Sequence, residues 1–447
     1  MLLSVITCTI NLDALSKNKL SQIFSHFHQE YSNFLTPLLI VNQGKLATTD
    51  FFQQSQDKFT VFNQNNFGGT GGFTRGILEA RKIGATHILL MDDDAVPDEN
   101  SFEKTLKYYL ENEERMEALG GTRFSSEDPE KIHEAGAWVK PENFTIVKRL
   151  AGHKISTKRE KIEDDLALHQ NMNIDYGAWW FFACPMRAVE KVGLPLPLFI
   201  HRDDSEYGLR LKKAGIPTIP LPGLRIWHPE SGNALKQWYA FFSRRNALIE
   251  KALHTNVSTP RLAFELAIKY FYYLLGFQYD NVDFLAKGIL AYLKGPEALE
   301  KNPRTDFENS RMLMGKWPIT LSSFDSETMK EMSEKTNPLW KEIMFVFLLN
   351  GLLFPAKREK DGKFPIFTHA DNICFLVYRH SVYGVGSKSI NMVKIYRRKP
   401  KALFKMTANA CWTVLFFLVR NPIIKKRWRK NFPKLTTPAF WENYLGL

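Results

Sequence analysis

Three consecutive carboxylates, Asp92, Asp93 and Asp94, follow the apolar run HILLM (residues 87–91), which has the length and composition of a buried strand. Adjacent carboxylates raise each other's pKa unless a cation neutralises them, and Mg²⁺ and Mn²⁺ prefer oxygen ligands. His228 ends another apolar segment and is a candidate third ligand. The pattern predicts a divalent metal site. The alternative is a solvated acidic turn that caps the following helix, together with a structural histidine.

A second acidic group lies in the segment HRDDSEYGLR (residues 201–210), which follows the apolar stretch PLPLFI. A carboxylate in this segment is a candidate general base towards a hydroxyl group. The alternative is helix capping, because acidic residues are favoured in the first turn of a helix. Both roles are compatible if Asp203 or Glu206 caps the helix while Asp204 points at a substrate.

Two further runs have compositions suited to ligand binding. The glycines of NFGGTGGF (residues 66–73) allow a backbone to approach a ligand, and a helix that follows would favour phosphate. The run lacks the dinucleotide and P-loop signatures, so a flexible turn is an equal alternative. The run DYGAWWFF (residues 175–182) is predicted to be a strand, in which neighbouring positions face opposite sides. Only one of Trp179 and Trp180 can therefore line a given face. That tryptophan could stack on a sugar, and the alternative is that it packs in the core. His133 and its neighbour Glu134 are further candidates for the border of the site.

The elements that must position these residues alternate between strand and helix over the first 230 or so residues. The predicted strands cover residues 2–7, 36–41, 59–63 and 87–91, and the predicted helices cover residues 12–35 and 73–83. This alternation predicts an α/β domain with a mostly parallel sheet, in which ligands bind beyond the carboxyl ends of the strands. The candidate residues that follow a predicted strand are Thr9, Asn11, Asn42, Gln43, residues 66–72 and the three aspartates.

Apolar residues recur at helical spacing in the second half of the chain, at residues 263–277, 284–293 and 339–354. We therefore expect three parts: a catalytic domain over residues 1–250, a helical region over 251–390 and a basic amphipathic tail over 391–447.

The composition excludes several classes of protein. With 447 residues, 44% of them apolar, the chain can form a packed core and has room for two or three domains. Its four cysteines lie far apart and match neither a zinc spacing nor a disulfide framework. The N-terminus lacks a basic segment and a cleavage site, and no uncharged apolar run reaches the roughly 18 residues that span a bilayer. These features predict a cytoplasmic protein.

The net charge of +13 is concentrated at the C-terminus, because residues 391–447 contain thirteen Lys and Arg and a single acid, Glu442. These charges flank the apolar segment 410–419, which is too short to span a bilayer and suited to lie in its interface. We expect peripheral association with the anionic inner face of the cell membrane; the alternative is a solvated basic tail. No nucleic-acid-binding pattern is present, so nucleic acid is not an expected partner.

Seven stretches, taken together and in order, resemble the GT-A glycosyltransferases of family 2 and, more narrowly, the bacterial galactofuranosyltransferases that use UDP-galactofuranose. They span about half of the chain. The matching stretches are TCTIN (7–11), VNQG (41–44), NNFGGTGGFTRG (65–76), MDDDA (91–95), DYGAWWFF (175–182), PLFIHRDDSEYGLRL (197–211) and IWHP (226–229).

The resemblance implies a GT-A fold, Rossmann-like and α/β, followed by a mainly helical region, and it implies roles for the matching residues. Asp92, Asp94 and His228 would hold Mn²⁺ or Mg²⁺ on the donor diphosphate, and Asp204 would be the catalytic base. The residues implied on the nucleotide-sugar side are Thr9, Asn11, Gln43, Asn66, Gly68, Gly69 and Asp93. The residues implied on the acceptor side are Trp179, Trp180, Asp203 and His133.

The implied reaction is an inverting transfer of galactofuranose from UDP-galactofuranose to a hydroxyl of a lipid-linked or cell-surface polysaccharide, and a homo-oligomer is compatible with it. The main alternative is the same fold with another donor, such as dTDP-rhamnose. An inactive transferase-like scaffold and a basic nucleic-acid-binding protein are the alternatives from other classes. Larger polymerising members carry an N-terminal β-domain, and with a first predicted strand at residue 2 we expect no such domain here. Addition of one or a few sugars is therefore as much expected as processive polymerisation.

Overall fold

A computed structural model of the chain describes residues 1–45, 50–141, 144–155, 166–229, 237–301, 306, 308, 321–323, 366–367, 382–387 and 392–447. The strands within these residues are β1 (Leu3–Thr9), β2 (Leu38–Asn42), β3 (Phe59–Asn63), β4 (His87–Asp92), β5 (Val96–Pro97), β6 (Ala118–Ser125), β7 (Ile132–Glu134), β8 (Ala137–Val139), β9 (Ile146–Lys148), β10 (Phe182–Pro185), β11 (Thr218–His228), β12 (Leu321–Ser323), β13 (Ile366–Phe367), β14 (Val382–Ser387) and β15 (Met392–Arg397).

The helices within the same residues are α1 (Leu12–Ser16), α2 (Lys19–Tyr31), α3 (Asp50–Gln54), α4 (Gly68–Lys82), α5 (Ser101–Leu110), α6 (Leu166–His169), α7 (Met186–Val192), α8 (Asp203–Lys213), α9 (Gln237–His254), α10 (Thr259–Leu275), α11 (Tyr279–Leu293), α12 (Pro400–Asn431) and α13 (Pro438–Leu445). Short 3₁₀ turns cover Ser32–Phe34, Pro296–Ala298 and Lys434–Thr436.

The large sheet has the strand order β3-β2-β1-β4-β10-β6-β11-β5, with β7 beside β6. Strands β3, β2, β1 and β4 pair in parallel, and β6 pairs in parallel with β11. Strand β10 runs antiparallel to both β4 and β6, so β6 and β11 point the same way as the first four strands. The prediction of an α/β domain is confirmed, but the sheet is mixed: six of its nine strands run in one direction, and β5, β7 and β10 run in the other.

Buried apolar side chains cover both faces of this sheet. On one face, Phe24 of α2 and Phe102 of α5 pack against Leu89 of β4. On the other face, Ile77 of α4 and Tyr207 of α8 belong to a second buried cluster. The sheet is thus a middle layer between helices, which holds the ends of its strands in fixed positions.

Some predicted elements have different bounds in the structure. The helix predicted over residues 12–35 is two helices, because the side chain of Asn18 accepts a hydrogen bond from Leu20 N and starts α2 anew. The helix predicted to start near Phe73 begins five residues earlier, at Gly68, so most of the glycine-rich run is helical.

The region after the sheet is built of helices α9 to α12, which share one buried cluster. The predictions for residues 263–277 and 284–293 correspond to α10 and α11, whereas the prediction for 339–354 lies outside the described residues. A small sheet, in the order β12-β15-β14-β13, was not expected in this region. The mainly helical character of the C-terminal region is confirmed, and the predicted boundary at residue 250 falls inside α9.

The apolar segment 410–419, predicted as too short to span a bilayer, lies within the 32-residue helix α12. This is the one helix of the described chain that is long and apolar enough to cross a membrane. One of its faces is buried against the protein from Met406 to Trp428. The chain then returns to the first domain, where Trp441 of α13 is fully buried and donates a hydrogen bond from Nε1 to Pro195 O at 2.8 Å. Part of the segment predicted as a tail therefore belongs to the core around the sheet.

Candidate active site

The carboxyl ends of the parallel strands bring together the polar residues that the sequence separates. Thr9 ends β1, Asp92 ends β4 and His228 ends β11. In the register of the sheet, Cys8 of β1 lies opposite Asp92, so Thr9 and the aspartates share one edge. A site at this edge agrees with the general location of ligands in open α/β sheets.

Asp92, Asp94 and His228 converge at this edge. His228 Nε2 lies 3.4 Å from Asp92 Oδ2 and 2.9 Å from Asp94 Oδ1, and one potential ligand atom from each residue lies within 4.8 Å of the others. The other ring nitrogen, His228 Nδ1, lies 2.8 Å from Pro229 O, which orients the ring with Nε2 towards the carboxylates.

The imidazole of this group and the Asp94 carboxylate shift each other's pKa. Burial alone would lower the pKa of His228, but hydrogen bonds to Asp92 and Asp94 and their charges raise it to about 10. Burial works against ionisation of Asp94 too, yet its hydrogen bond with His228 brings the pKa of Asp94 below its usual value. Two carboxylates and one oriented imidazole are a donor set that suits Mn²⁺ and Mg²⁺, so the residues fit the predicted metal.

Asp93 points away from this group, towards β1. The Thr9 side chain favours the charged form of its carboxyl, and its backbone carbonyl accepts a hydrogen bond from Asn18 Nδ2. Burial raises the pKa of Asp93 to about 6, and the charges of Asp94 and Asp92 contribute to the increase. Asp93 therefore connects the predicted metal ligands to Thr9 and Asn18.

The glycine-rich run is the first part of α4 rather than an extended loop over a ligand. Gly68 has a φ of +74°, and a Cβ atom there would lie 2.0 Å from Phe199 O, so only glycine fits. Gln43 fastens the turn, since its Nε2 donates to Gly68 O at 2.8 Å and its Oε1 accepts from Phe67 N at 2.9 Å. Asn66 Oδ1 accepts from Gly68 N at 2.9 Å. Gln43 and Asn66 thus shape the turn at the predicted donor side.

Asn11 and Gly69, also predicted on the donor side, are more exposed than Gln43 and Gly68. Asn11 is exposed and its side chain caps α1 by accepting a hydrogen bond from Ala14 N at 3.1 Å. A Cβ atom added to Gly69 would meet no atom within 4 Å, so this glycine borders open space. The N-terminus of α4 therefore leaves room for a ligand beside Gly69 but not beside Gly68.

Asp203 and Asp204 begin α8 on the opposite side of the glycine-rich turn. Asp203 Oδ2 accepts a hydrogen bond of 2.6 Å from Thr70 Oγ1, and burial raises the pKa of Asp203 to about 6. Asp204 Oδ1 accepts from Ser205 N at 2.7 Å. Burial raises the pKa of Asp204 well above its usual range, and the charge of Asp203 raises it further. In its ionised form, a carboxylate with a raised pKa binds a proton more strongly than an ordinary one, which suits a base towards a hydroxyl group.

The two tryptophans face opposite ways, but they lie in a turn before β10 rather than in the strand that the sequence predicted. Trp180 is half-buried, with its ring centroid 6.3 Å from that of His228 and 6.3 Å from that of His133. Trp179 is 4% exposed and packs in the core between Phe73 and Tyr207. The structure therefore brings Trp180 and His133 to the site and leaves Trp179 in the core.

His133 lies beside a cation, because its Nε2 is 2.5 Å from Lys148 Nζ. Burial lowers the pKa of His133 to about 3, with further lowering by Lys148 and Arg123, so the ring is neutral at physiological pH. A neutral imidazole next to Trp180 offers both a polar and an aromatic surface to a sugar.

Glu134, the neighbour of His133 in the sequence, is a buried acid whose charge acts on Asp204. It is 2% exposed, and its Oε1 makes no hydrogen bond within the described residues. Burial raises the pKa of Glu134 to about 7, against the opposing charges of Lys148 and Arg123, and its own charge in turn raises the pKa of Asp204. Glu134 can be recognised in the sequence as an acidic residue on the same side of a short strand as the apolar Ile132, followed by Ala135.

Comparison with known proteins gives a family and two relatives. Residues 3–247 match the family described as glycosyltransferase like family 2. Over 411 residues the chain is 31% identical to the galactofuranosyltransferase GlfT2 of Mycolicibacterium smegmatis, which covers 87% of this chain and 63% of that protein. It is 30% identical over 258 residues to GlfT2 of Mycobacterium tuberculosis, covering 54% of this chain and 39% of that protein. The chain thus spans less than two-thirds of the length of these relatives.

Solved structures similar to this chain have low sequence identity to it. One is the mannosyltransferase PcManGT from Pyrobaculum calidifontis in complex with GDP-Man and Mn²⁺, with 14% identity, a TM-score of 0.38 and coverage of 70% of this chain and 74% of that chain. Another is S. aureus TarS 1-349 in complex with UDP-GlcNAc, with 13% identity, a TM-score of 0.39 and coverage of 73% and 95%.

Proposed function

The chain belongs to glycosyltransferase family 2, and we propose that it transfers a sugar from a nucleotide-sugar donor, UDP-galactofuranose, to a hydroxyl of a lipid-linked or cell-surface polysaccharide. The observation that carries the proposal is the convergence of Asp92, Asp94 and His228 at the edge of the sheet where Asp93 joins Thr9. The choice of galactofuranose rests on the 31% identity to a galactofuranosyltransferase.

Asp92, Asp94 and His228 are the residues that would hold Mn²⁺ or Mg²⁺. A divalent ion held there would stabilise the negative charge of the departing nucleoside diphosphate. The chain's own contribution is to keep the three ligands together before the donor arrives. The contact between His228 Nδ1 and Pro229 O directs Nε2 at the two carboxylates, so Nε2 would coordinate the ion once its proton is displaced.

Asp204 is the proposed base in a single in-line displacement. The acceptor oxygen forms a bond to the anomeric carbon while the bond from that carbon to the diphosphate oxygen breaks. The acceptor hydroxyl proton goes to Asp204, and the electron pair of the broken bond leaves with the nucleoside diphosphate. Attack opposite the leaving group inverts the configuration at the anomeric carbon.

The acceptor is proposed to lie against Trp180, between the metal ligands and His133. An aromatic face stacks on the apolar face of a sugar ring. Trp180 is partly exposed beside His228, whereas Trp179 is buried. Asp203 is held by Thr70, so its role is to fix the start of α8 and to raise the proton affinity of Asp204. On the donor side, Thr9, Asn11 and Gly69 border the space beside the aspartates.

A screen of nucleotide sugars with a lipid-linked acceptor, followed by mass spectrometry, tests this proposal. The expected result is an acceptor mass increase of one or more hexose units with UDP-galactofuranose and Mn²⁺ or Mg²⁺. Asp204→Asn serves as the control for transfer at this site. Turnover of dTDP-rhamnose in place of UDP-galactofuranose would overturn the choice of donor, and no turnover with any donor would favour an inactive scaffold.

A membrane location is proposed from the exposed surface of α12 and α10. On one face of α12 the large apolar side chains are exposed, and they recur at helical spacing. These residues are Phe404, Trp412, Leu415, Val419 and Ile423. On α10, which packs beside α12 through the 2.8 Å hydrogen bond from Asn421 Nδ2 to Thr259 Oγ1, Phe264 and Ile268 are exposed too.

The geometry of α12 favours a position along the membrane surface rather than across it. Its other face is buried against the protein over nearly its whole length, from Met406 to Trp428, so the helix could not span a bilayer without leaving the protein. Exposed basic residues lie at both ends of the apolar face, at Lys401, Lys405 and Lys426. An apolar face bordered by cations suits the interface of an anionic leaflet, where lipid-linked acceptors reside.

Sedimentation of the full chain with vesicles tests this location. We expect binding to vesicles of phosphatidylglycerol and phosphatidylcholine, weaker binding to phosphatidylcholine alone, and loss of binding when Trp412→Ser, Leu415→Ser and Val419→Ser are combined. Ile83→Ser, which removes an exposed apolar residue next to α4, is the matched control and should bind as the wild type does. Unchanged binding of the triple variant would refute a membrane role of this face.

A further inference from the structure

The segment that leads into Asp203 and Asp204 has an unusual backbone. Phe199, His201 and Arg202 have φ angles of +70°, +74° and +65°, and none of them is a glycine. Left-handed backbone is unfavourable for side chains of this size, so a segment with three such residues persists only when its surroundings hold it. Arg202 is the residue directly before α8, which makes this segment the support of the proposed base.

Helix α9 supplies the contacts that hold the segment. Asn246 is fully buried, and its Nδ2 donates to three backbone carbonyls, at 3.2 Å to Leu198, 2.9 Å to Ile200 and 2.8 Å to His201. Arg245 Nη2 donates to Leu198 O at 2.9 Å. The segment belongs to no strand or helix that would supply hydrogen-bond donors to these carbonyls. Side chains of α9 supply the donors instead.

Glu250, one helical turn further along α9, holds the end of the segment. It is fully buried, and it accepts hydrogen bonds from Ser205 Oγ at 2.7 Å and from Arg202 Nη1. Arg202 precedes the proposed base by two residues and Ser205 follows it by one. A single carboxylate thus fixes the chain on both sides of Asp204.

The opposite side of the segment contacts the glycine-rich turn. Phe199 O accepts a hydrogen bond from Thr70 N at 3.3 Å, and Gly68 leaves the space that this carbonyl occupies. The segment is therefore held between α4, on the proposed donor side, and α9, which belongs to the helical region.

We propose that Asn246 and Glu250 are positioning residues for sugar transfer: they hold segment 198–202, with its three left-handed residues, in the conformation that aims Asp204 at the acceptor hydroxyl. The proposal rests on the proposed function of Asp204 and gives the helical region a part in catalysis. Reacting groups displaced by about 1 Å lose about 100-fold in rate, so the expected effect is on kcat rather than on donor binding.

The test compares Asn246→Ala and Glu250→Ala with Asn421→Ala. Asn421 is an equally buried asparagine of the helical region, but its hydrogen bonds go to Tyr292 and Thr259, away from the segment. We expect the first two variants to lose about 100-fold in kcat while the KM of the donor and the affinity for UDP stay within about threefold. Asn421→Ala should lower Tm by a similar amount and keep its kcat.

Two rescue variants separate positioning from a general loss of structure. Glu250→Gln keeps an oxygen for Arg202 and a polar partner for Ser205, so it should recover most of the kcat lost in Glu250→Ala. His201→Gly, added to Asn246→Ala, should raise kcat again, because glycine adopts positive φ without strain.

The wild-type enzyme is measured first, so that the two proposals can fail separately. If the wild type transfers sugar and Asp204→Asn does not, the proposed function stands. Wild-type kcat in Asn246→Ala and Glu250→Ala would then overturn the positioning role alone, as would an equal loss of kcat in Asn421→Ala. Absence of transfer by the wild type would instead refute the proposed function.

Discussion

Thr70 Oγ1 donates a hydrogen bond of 2.6 Å to Asp203 Oδ2, across 133 positions of the sequence. Thr70 lies in the first turn of α4, and Asp203 is the first residue of α8. The contact joins the turn expected to face the donor to the acidic pair expected to face the acceptor. The two sides of the site are therefore parts of one hydrogen-bonded unit.

Thr70→Val removes this hydrogen bond and keeps the shape of the side chain. A hydrogen bond to a charged group contributes about 1.5–3 kcal/mol, so we expect a fall in kcat of about tenfold or more as Asp203 loses its partner. Thr74→Val is the matched control, since Thr74 is also buried on α4 but donates only to Thr70 O. The kcat of both variants is measured by steady-state kinetics with saturating donor. Equal kcat values for Thr70→Val and Thr74→Val would contradict the expectation.

Asp204→Asn tests the base directly. The variant should bind UDP as tightly as the wild type and lose transfer by about 100- to 10,000-fold, the range typical of a positioned base. Titration calorimetry with UDP and Mn²⁺ measures the first quantity and acceptor turnover the second. Turnover near that of the wild type would exclude the role.

The same variant has an expected effect on stability. The pKa of Asp204 is raised in the folded protein, so the stability contributed by this group is present at low pH and lost as the pH rises through the folded pKa. The asparagine side chain in the variant carries no charge at any pH. Asp204→Asn should therefore have a higher Tm than the wild type at neutral pH, and the difference should shrink as the pH falls towards about 4, the ordinary pKa of an aspartate. A constant difference across pH would contradict this sign.

The sequence predicts the site better than it predicts the local backbone. Asp92, Asp94 and His228 could be grouped in advance because parallel strands end at one edge, and apolar runs mark those ends. The start of α4 at Gly68 could not be predicted from the sequence, because each glycine disfavours a helix by about 1 kcal/mol. Packing overrides that preference here, since a Cβ at Gly72 would lie 2.4 Å from Cys8 Cβ and one at Gly76 would lie 2.1 Å from Ile6 Cγ2.

The left-handed segment before α8 and the small second sheet could not be predicted for a different reason. Phe199, His201 and Arg202 have no local preference for positive φ, so their conformation comes from α9, roughly 45 residues away along the chain. Strands β12 and β15 pair across a long stretch of sequence, and short strands of this kind carry little periodicity. Long-range contacts decide both features.

Chelation and a ligand variant test the metal group. EDTA should abolish transfer and added Mn²⁺ or Mg²⁺ should restore it, whereas full activity in EDTA would refute a metal role. His228→Ala removes the ligand that Pro229 orients and should raise the metal concentration for half-maximal activity by about 10- to 100-fold. His26→Ala, an exposed histidine on α2, should leave the metal dependence unchanged.

Gly68 and Gly69 form a matched pair for the turn at the start of α4. Gly68→Ala places a Cβ 2.0 Å from Phe199 O at a φ of +74°, whereas a Cβ at Gly69 meets no atom within 4 Å. Gly68→Ala should lower the free energy of unfolding by at least about 1–2 kcal/mol, the usual penalty for left-handed backbone. Gly69→Ala should unfold as the wild type does, and any effect on it should be on the KM of the donor. Equal denaturation midpoints for the two variants would contradict this geometry.

Glu134→Gln tests the electrostatic link between the buried Glu134 and the proposed base. Burial raises the pKa of Asp204, and the charges of Asp203, Glu134 and Glu250 add to the increase, so removing one charge should lower it. A base acts when it is deprotonated, and activity is lost as the pH falls through its pKa. The acid limb of the kcat/KM profile should therefore move to lower pH in Glu134→Gln and stay in place in Glu30→Gln, an exposed control on α2. An acid limb that stays in place or moves to higher pH in Glu134→Gln would show that Glu134 does not act on the base through its charge.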